Sequence, residues 1–299
     1  MAIAAEAAPA GARQPRRSLR SSLLTGALLL PASLWYLVLL VAPLAIIVLF
    51  SFGERGKNGG YAGGFTLDNY AGALERNAPF VTSLVMALAG TILCLLLALP
   101  LAYFIATRAG RRKSLLIVLL VVPFWTSFLI RTYAWLTILG NNGIPALLEG
   151  AGFDRVVLLN TPFAVMIGIV YNYLPLMVFP LYVSLERLDK RLLEASKDLG
   201  AGRLATFRQV TLPLTAAGLL SGVMLVFIPI MGEYIIPALL GGGKVFFIGN
   251  ALVDLFLQSR NWPFGSAAAI VLILVILGAV SLYLWLGSRG RVTREVSIL

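Results

Sequence analysis

An all-α membrane protein with six crossings is the fold class this sequence predicts, on three observations. Its 299 residues are 59% hydrophobic and 12% charged, whereas a soluble domain carries about 25% charge. The apolar residues gather into six runs of at least 22 residues, and a helix needs about 20 to cross a ~30 Å hydrocarbon core. The charges sit in the gaps: only Arg131 and Glu233 fall inside a run.

The runs are 30–52, 82–107, 114–139, 162–185, 213–240 and 266–287. The first follows a basic tail, 1–29, rich in Ala, Pro and Arg and expected to be unstructured. Its Arg16-Arg17 pair resembles a twin-arginine signal, but the apolar run is longer than a signal-peptide core, so it reads as the flank of a helix. The second run carries no charge. In the third, Arg131 is expected near a helix end, with Thr132–Leu139 along the interface. The fourth is interrupted by Tyr171, Asn172 and Tyr173. The fifth opens with Thr211-Leu212-Pro213, an expected N-cap and early helical proline. The sixth leads into a short tail, 288–299.

Six crossings place both termini on one side. With the termini inside, the inner segments hold 17 Lys and Arg against 6 in the outer ones, and each side holds six Asp and Glu. The positive-inside rule therefore predicts cytoplasmic termini. The net charge of +11 is an orientation signal and implies no nucleic acid. There is no His and one Cys, Cys94. That excludes His-based triads, disulfides within the chain, and zinc sites built on His or clustered Cys.

The inner segment 186–212 has its own pattern. Leu188, Leu192, Ala195 and Leu199 recur at helical spacing opposite a face charged with both signs. Gly200 stands where a left-handed stop is cheap for glycine, and a second short helix is expected over 203–209. A helix, a glycine turn and a helix make either a docking hairpin or an amphipathic element lying on lipid headgroups.

Glu194-Ala195-Ser196, then Gly200, Val210 and Leu212-Pro213, resembles the EAA motif of importer permeases of the ATP-binding cassette family. Ser196 stands where that family usually has Ala, and Val210 where it usually has Ile. The resemblance continues through Pro123–Ser127 with Arg131–Trp135, Phe65–Tyr70, Gly232-Glu233-Tyr234 with Pro237 and Leu240-Gly241-Gly242, and Asn261–Ala267. These segments are similar to the first permease subunit of spermidine/putrescine importers. The resemblance implies a MetI-like fold in a bacterial inner membrane. It also implies a dimer of ATP-binding subunits, a second permease subunit, and an extracytoplasmic solute-binding protein as partners.

The chain itself lacks a P-loop. Gly243-Lys244 is followed by Val245 and Gly56-Lys57 by Asn58. No cofactor or metal is expected on this chain, and ATP with Mg is expected on the partner ATPase. By resemblance, Glu194 would make a charge-assisted contact to the ATPase, Ala195 and Leu199 would fill its cleft, and Gly200 would permit the bend. Ser196, Leu212 and Pro213 complete that loop.

For a small cationic solute, the candidate pathway residues are Glu233, Tyr171, Asn172 and Tyr173. A carboxylate attracts ammonium groups, and aromatic faces bind them. Glu233 has a second reading as a helix-end carboxylate in a satisfied network. Asn172 and the tyrosines have one as packing residues. Trp125 and Trp135 read as interface anchors or packing residues, and Arg131 is expected to meet a carboxylate or carbonyls at the outer surface. Other small solutes (phosphonates, opines, iron) are open within the same class. An intramembrane enzyme lacks its second catalytic group. A stand-alone secondary carrier is the rival from another class, but it gives the hairpin no role.

Overall fold

The computed structural model describes residues 19–289 of the chain. They fall into two units, one ending at Leu49 and the other beginning at Phe50. Among the described residues four helices are long and apolar enough to cross a bilayer, and two bent helix pairs raise the number to as many as six. The Arg16-Arg17 pair, the rest of residues 1–18, and residues 290–299 lie outside the described residues.

Among the described residues the first unit is dominated by α1 (Leu28–Ser51), 24 residues long, whose last two residues, Phe50 and Ser51, belong to the second unit. Helix extends back from it to Leu19. Residues 19–29 are therefore helical rather than part of an unstructured tail. Leu19, Leu23, Leu24 and Ala27 are strong helix formers and extend the apolar run.

The second unit opens with a glycine-rich loop and α2 (Asp68–Glu75), then α3 (Ala78–Thr107). Next come α4 (Gly110–Trp125), α5 (Phe128–Leu139) and α6 (Ile144–Gly150). They are followed by α7 (Pro162–Glu186) and α8 (Lys190–Asp198). A helical stretch α9 (Arg203–Leu214) leads to α10 (Ala216–Met231) and α11 (Ile235–Leu240). Last are α12 (Ile248–Val253) and α13 (Trp262–Arg289).

The core is the packing of α3, α7 and α10 on one another. α3 offers a stripe of small residues: Ala87, Gly90, Cys94, Ala98 and Ala102 are all buried on one face. In a membrane the apolar exterior gives helices no hydrophobic reason to associate, so close backbone approach through small residues takes over. A Cβ at Gly90 would lie 2.8 Å from Ile169 Cγ2, and one at Gly222 2.8 Å from Met177 Sδ. At Gly218 it would meet the Pro180 carbonyl oxygen at 2.5 Å and collide with Ser184. Leu96 and Leu274, on outer faces, are exposed, as lipid contact requires.

Two of the apolar runs are sharply bent. The third turns by 91° between α4 and α5. Thr126 and Ser127 are extended there, and the Pro123 carbonyl accepts from both Thr126 N (3.2 Å) and Thr126 Oγ1 (2.7 Å). The fifth turns by 69° between α9 and α10. The expected N-cap at Thr211 is absent, because helical backbone runs through Thr211. The bend comes at Thr215, whose hydroxyl donates to the Thr211 carbonyl at 2.8 Å; such back-bonding bends helices. The same run breaks again at Gly232–Tyr234.

Gly218→Val should destabilise the second unit by about 1–3 kcal/mol through overpacking. Thermal unfolding in detergent would show a lowered midpoint, while Gly150→Val, where a Cβ meets nothing within 4 Å, should leave it unchanged.

Candidate functional site

The hairpin forms by local rules. Asp189 caps α8, its carboxylate accepting from Arg191 N at 2.9 Å. Gly200 has φ +82°. Its N–H donates to Lys197 O (2.8 Å), and Ala201 N–H donates to Ser196 O (3.1 Å). That pair of bonds is a Schellman ending, which satisfies the last helical carbonyls and needs a residue at ease in the left-handed region. Ser196 Oγ lies 3.0 Å from Thr206 Oγ1, tying α8 to α9. The serine that departs from the usual alanine thus fastens the hairpin, with a buried partner that spacing alone did not reveal.

The hairpin's outer surface is open. Leu199 is 89% exposed and Leu204 79% exposed, and Glu194 and Ala195 are exposed beside them. Leu212 is half-buried and Pro213 exposed within the helical stretch into α10. At its base Glu186 pairs with Lys113, at the start of the α4 run. The hydrogen bond to Glu186, followed by that to Tyr182, raises the Lys113 ammonium above its ordinary pKa.

Of the four candidate pathway residues, Tyr173 and Glu233 come together, while Tyr171 and Asn172 do not join them. Residues 171, 172 and 173 are consecutive on α7, and successive helical side chains point about 100° apart. Tyr173 is buried and its hydroxyl donates to Glu233 Oε2. Glu233 is also buried. Its Oε1 accepts from Tyr234 N (3.0 Å), Ile235 N (2.8 Å) and Ile236 N (3.3 Å). The carboxylate therefore occupies the N-terminus of α11, where the free N–H groups and helix dipole favour negative charge. Of its two sequence readings, the geometry matches the helix-end carboxylate in a satisfied network. Asn250, not singled out by sequence, supports the same break by donating to Tyr234 O at 2.8 Å.

Asn172 is buried, with Nδ2 bonded to Gly168 O at 2.9 Å. Its Oδ1 has no partner among the described residues. Tyr171 is 40% exposed and packs edge-on to Trp135 at 5.5 Å. Trp125 is 82% exposed.

Arg131 differs from expectation. It is buried, and it forms no ion pair among the described residues. Its guanidinium lies over the rings of Phe124 (5.1 Å) and Phe128 (5.9 Å), and Nε is unpartnered among the described residues. A guanidinium is weakly hydrated and planar, so aromatic faces accommodate it where no carboxylate is in reach. Phe128 in turn meets Tyr173 edge-on at 6.3 Å.

α2 and α13, each of which overlaps a segment that carried the family resemblance, pack on one another. Asn69 Nδ2 donates to Ser51 O (3.0 Å) and Gly53 O (2.8 Å). Arg76 lies over the Phe264 ring at 5.5 Å, and Arg55 Nη2 donates to Ser259 O at 2.7 Å.

A broken-helix bundle with a glycine-hinged hairpin before its fifth run is the form of an importer's membrane component. Residues 80–292 match the family model "Binding-protein-dependent transport system inner membrane component". The chain belongs to that family, with a MetI-like fold, and is a multi-pass inner-membrane permease component. It is 41% identical over 260 residues to the spermidine/putrescine transport system permease protein PotB of Escherichia coli (strain K12), covering 85% of this chain and 94% of that one. The PotB of Haemophilus influenzae is 39% identical, over 88% and 93% respectively. Among solved structures, a bacterial ABC transporter involved in the import of the acidic polysaccharide alginate matches with a TM-score of 0.69 at 20% identity. That match covers 91% of this chain and 98% of the other. The MetNI methionine transporter in an inward-facing form matches with a TM-score of 0.53 at 17% identity, over 72% and 95%.

Tyr173→Phe should cost about 1.5–3 kcal/mol, the range for a hydrogen bond to a charged group. Thermal unfolding of the purified protein should report the loss, and Tyr133→Phe, at an exposed ring, should not reproduce it.

Proposed function

We propose that this chain is a membrane subunit of a polyamine importer, converting ATP hydrolysis by a partner ATPase into alternating access for spermidine or putrescine. The observation that carries the mechanism is the hairpin 186–212. Its helix is capped at Asp189, closed at Gly200 and pinned by the Ser196–Thr206 bond, while Leu199 projects almost fully exposed. A rigid element with an uncovered apolar tip suits a partner's cleft. The substrate class follows the curated relatives named above.

In this reading the termini and the hairpin are cytoplasmic, in keeping with the 17 to 6 bias of Lys and Arg. Glu194 makes a charge-assisted contact to the ATPase dimer, and Ala195 and Leu199 enter its cleft. ATP and Mg bind on that partner. A second permease subunit completes the path, and a solute-binding protein delivers the cation from outside. Helical backbone from Arg203 to Leu214 lets a push on the hairpin reach the bend at Thr215.

Along the path, Tyr171 and the free Oδ1 of Asn172 offer cation contacts. The Glu233 carboxylate contributes its field from within the capped break, and Tyr173 orients it.

The test is reconstitution with the ATPase, second permease and binding protein in liposomes. ATP-driven uptake of labelled spermidine or putrescine is expected, and this chain alone should be inert; solute accumulation by the chain alone would overturn the proposal. Gly200→Val, which places a β-branched side chain at φ +82°, and Glu194→Lys should each abolish uptake in membranes that still contain the protein. Glu233→Gln keeps an acceptor for the α11 N–H groups but removes the charge. It should slow polyamine uptake while leaving basal ATP hydrolysis intact, and an unchanged rate and affinity would remove Glu233 from the pathway.

A further inference from the structure

We propose that the cleft between the end of α3 and the hairpin binds the headgroup of an anionic phospholipid from the cytoplasmic leaflet. The cleft has a volume of about 670 Å³. Arg108, Lys190, Lys197 and Arg203 line it, and the only carboxylate on its walls is Glu194. None of the four cations is ion-paired among the described residues, and all four are exposed. Its apolar side includes Tyr103 and Phe207, packed edge-on at 6.1 Å.

Three features select a lipid over another anion. First, the cleft starts where α3 ends: Arg108 follows Thr107, the last residue of a 30-residue apolar helix, so its cations stand at headgroup depth. Second, the cations come from separate elements, the end of α3, α8 and the start of α9, and so surround a ligand rather than form a solvated stripe. Third, Leu204 on its wall is 79% exposed, giving the glycerol and upper acyl chain an apolar surface beside the charges. Basic pockets on the cytoplasmic side of membrane helices hold anionic headgroups, with each Lys or Arg contributing independently.

The consequence is mechanical. A lipid phosphate seated between α3 and the hairpin relieves part of the repulsion among four like charges and ties the moving element to a fixed helix. The inference rests on the inner placement of the hairpin proposed above, but its readout is lipid contact and not transport, so either can fail without the other.

The experiment uses the assembled importer in phosphatidylcholine membranes doped with spin-labelled phosphatidylglycerol or spin-labelled phosphatidylcholine. Electron paramagnetic resonance measures the motionally restricted fraction of each. The wild-type complex should restrict phosphatidylglycerol preferentially. Each of Arg108→Gln, Lys190→Gln and Arg203→Gln should lower that preference by up to about fivefold, and raised salt should lower it further. The charge-conserving pair Arg108→Lys with Arg203→Lys should retain it, which separates loss of the site from loss of the fold. Equal restriction of both lipids by the wild type, or an unchanged preference when all three cations are removed from an intact complex, would overturn the proposal. Abolition of the preference by inorganic phosphate, but not by sodium chloride at the same ionic strength, would also overturn it, assigning the cleft to a soluble anion.

Discussion

A backbone N–H or C=O exposed in hydrocarbon finds no water, so every interruption of a span has to bring its own hydrogen-bond partner. This constraint organises the second unit. Where the fifth run breaks after Met231, Glu233 reaches forward and accepts from the N–H groups of Tyr234, Ile235 and Ile236 at the start of α11. Where the third run breaks, the Thr126 hydroxyl and amide both bond to the Pro123 carbonyl. Ser83, buried in α3, accepts from Ile248 N at 2.8 Å and so serves the first turn of α12. The polar residues in these runs are explained first by the backbone groups they satisfy. A transport role is an addition to that structural one, and Glu233 has to hold α11 before it can attract a cation.

The same logic separates fixed from movable parts. The α3, α7 and α10 core is closed by glycines that admit no Cβ without a neighbour shifting, so it resists deformation. The hairpin is stiff internally but projects outward. Lys113 and Glu186 tie its base to the third run, and its second arm continues helically to the bend at Thr215. A force on the exposed tip therefore meets a stiff lever, one ion pair and one bend, in that order.

Much of this was legible in the residues. Hydropathy located the apolar runs because bilayer thickness demands about 20 consecutive apolar residues whatever the packing. The hairpin could be drawn because α8 is amphipathic, and Gly200 stood where only glycine is comfortable at φ +82°. A change of direction in the third run was expected near Arg131, but the place and size of the bends were not legible. Pro123 and Pro213 are both proline signals within apolar runs, yet one lies beside a 91° turn while helix runs through the other to a bend at Thr215. The difference lies in which hydroxyl returns to which carbonyl. Arg131 was assigned a polar partner and found aromatic rings instead, because Phe124 and Phe128 reach it only after the chain turns between α4 and α5.

By itself, then, the sequence determined membrane residence, the approximate places of the apolar helices, the hairpin with its glycine stop, and the family. These depend on composition and on spacing within a few helical turns, where the chain's own periodicity suffices. The tertiary structure alone decided that Tyr173 and Glu233 meet across 60 residues, that Tyr171 and Asn172 face elsewhere, and that cations from three elements share one cleft. Those outcomes depend on how helices are rotated about their axes and where they bend. Side-chain packing sets both, and no linear pattern encodes it.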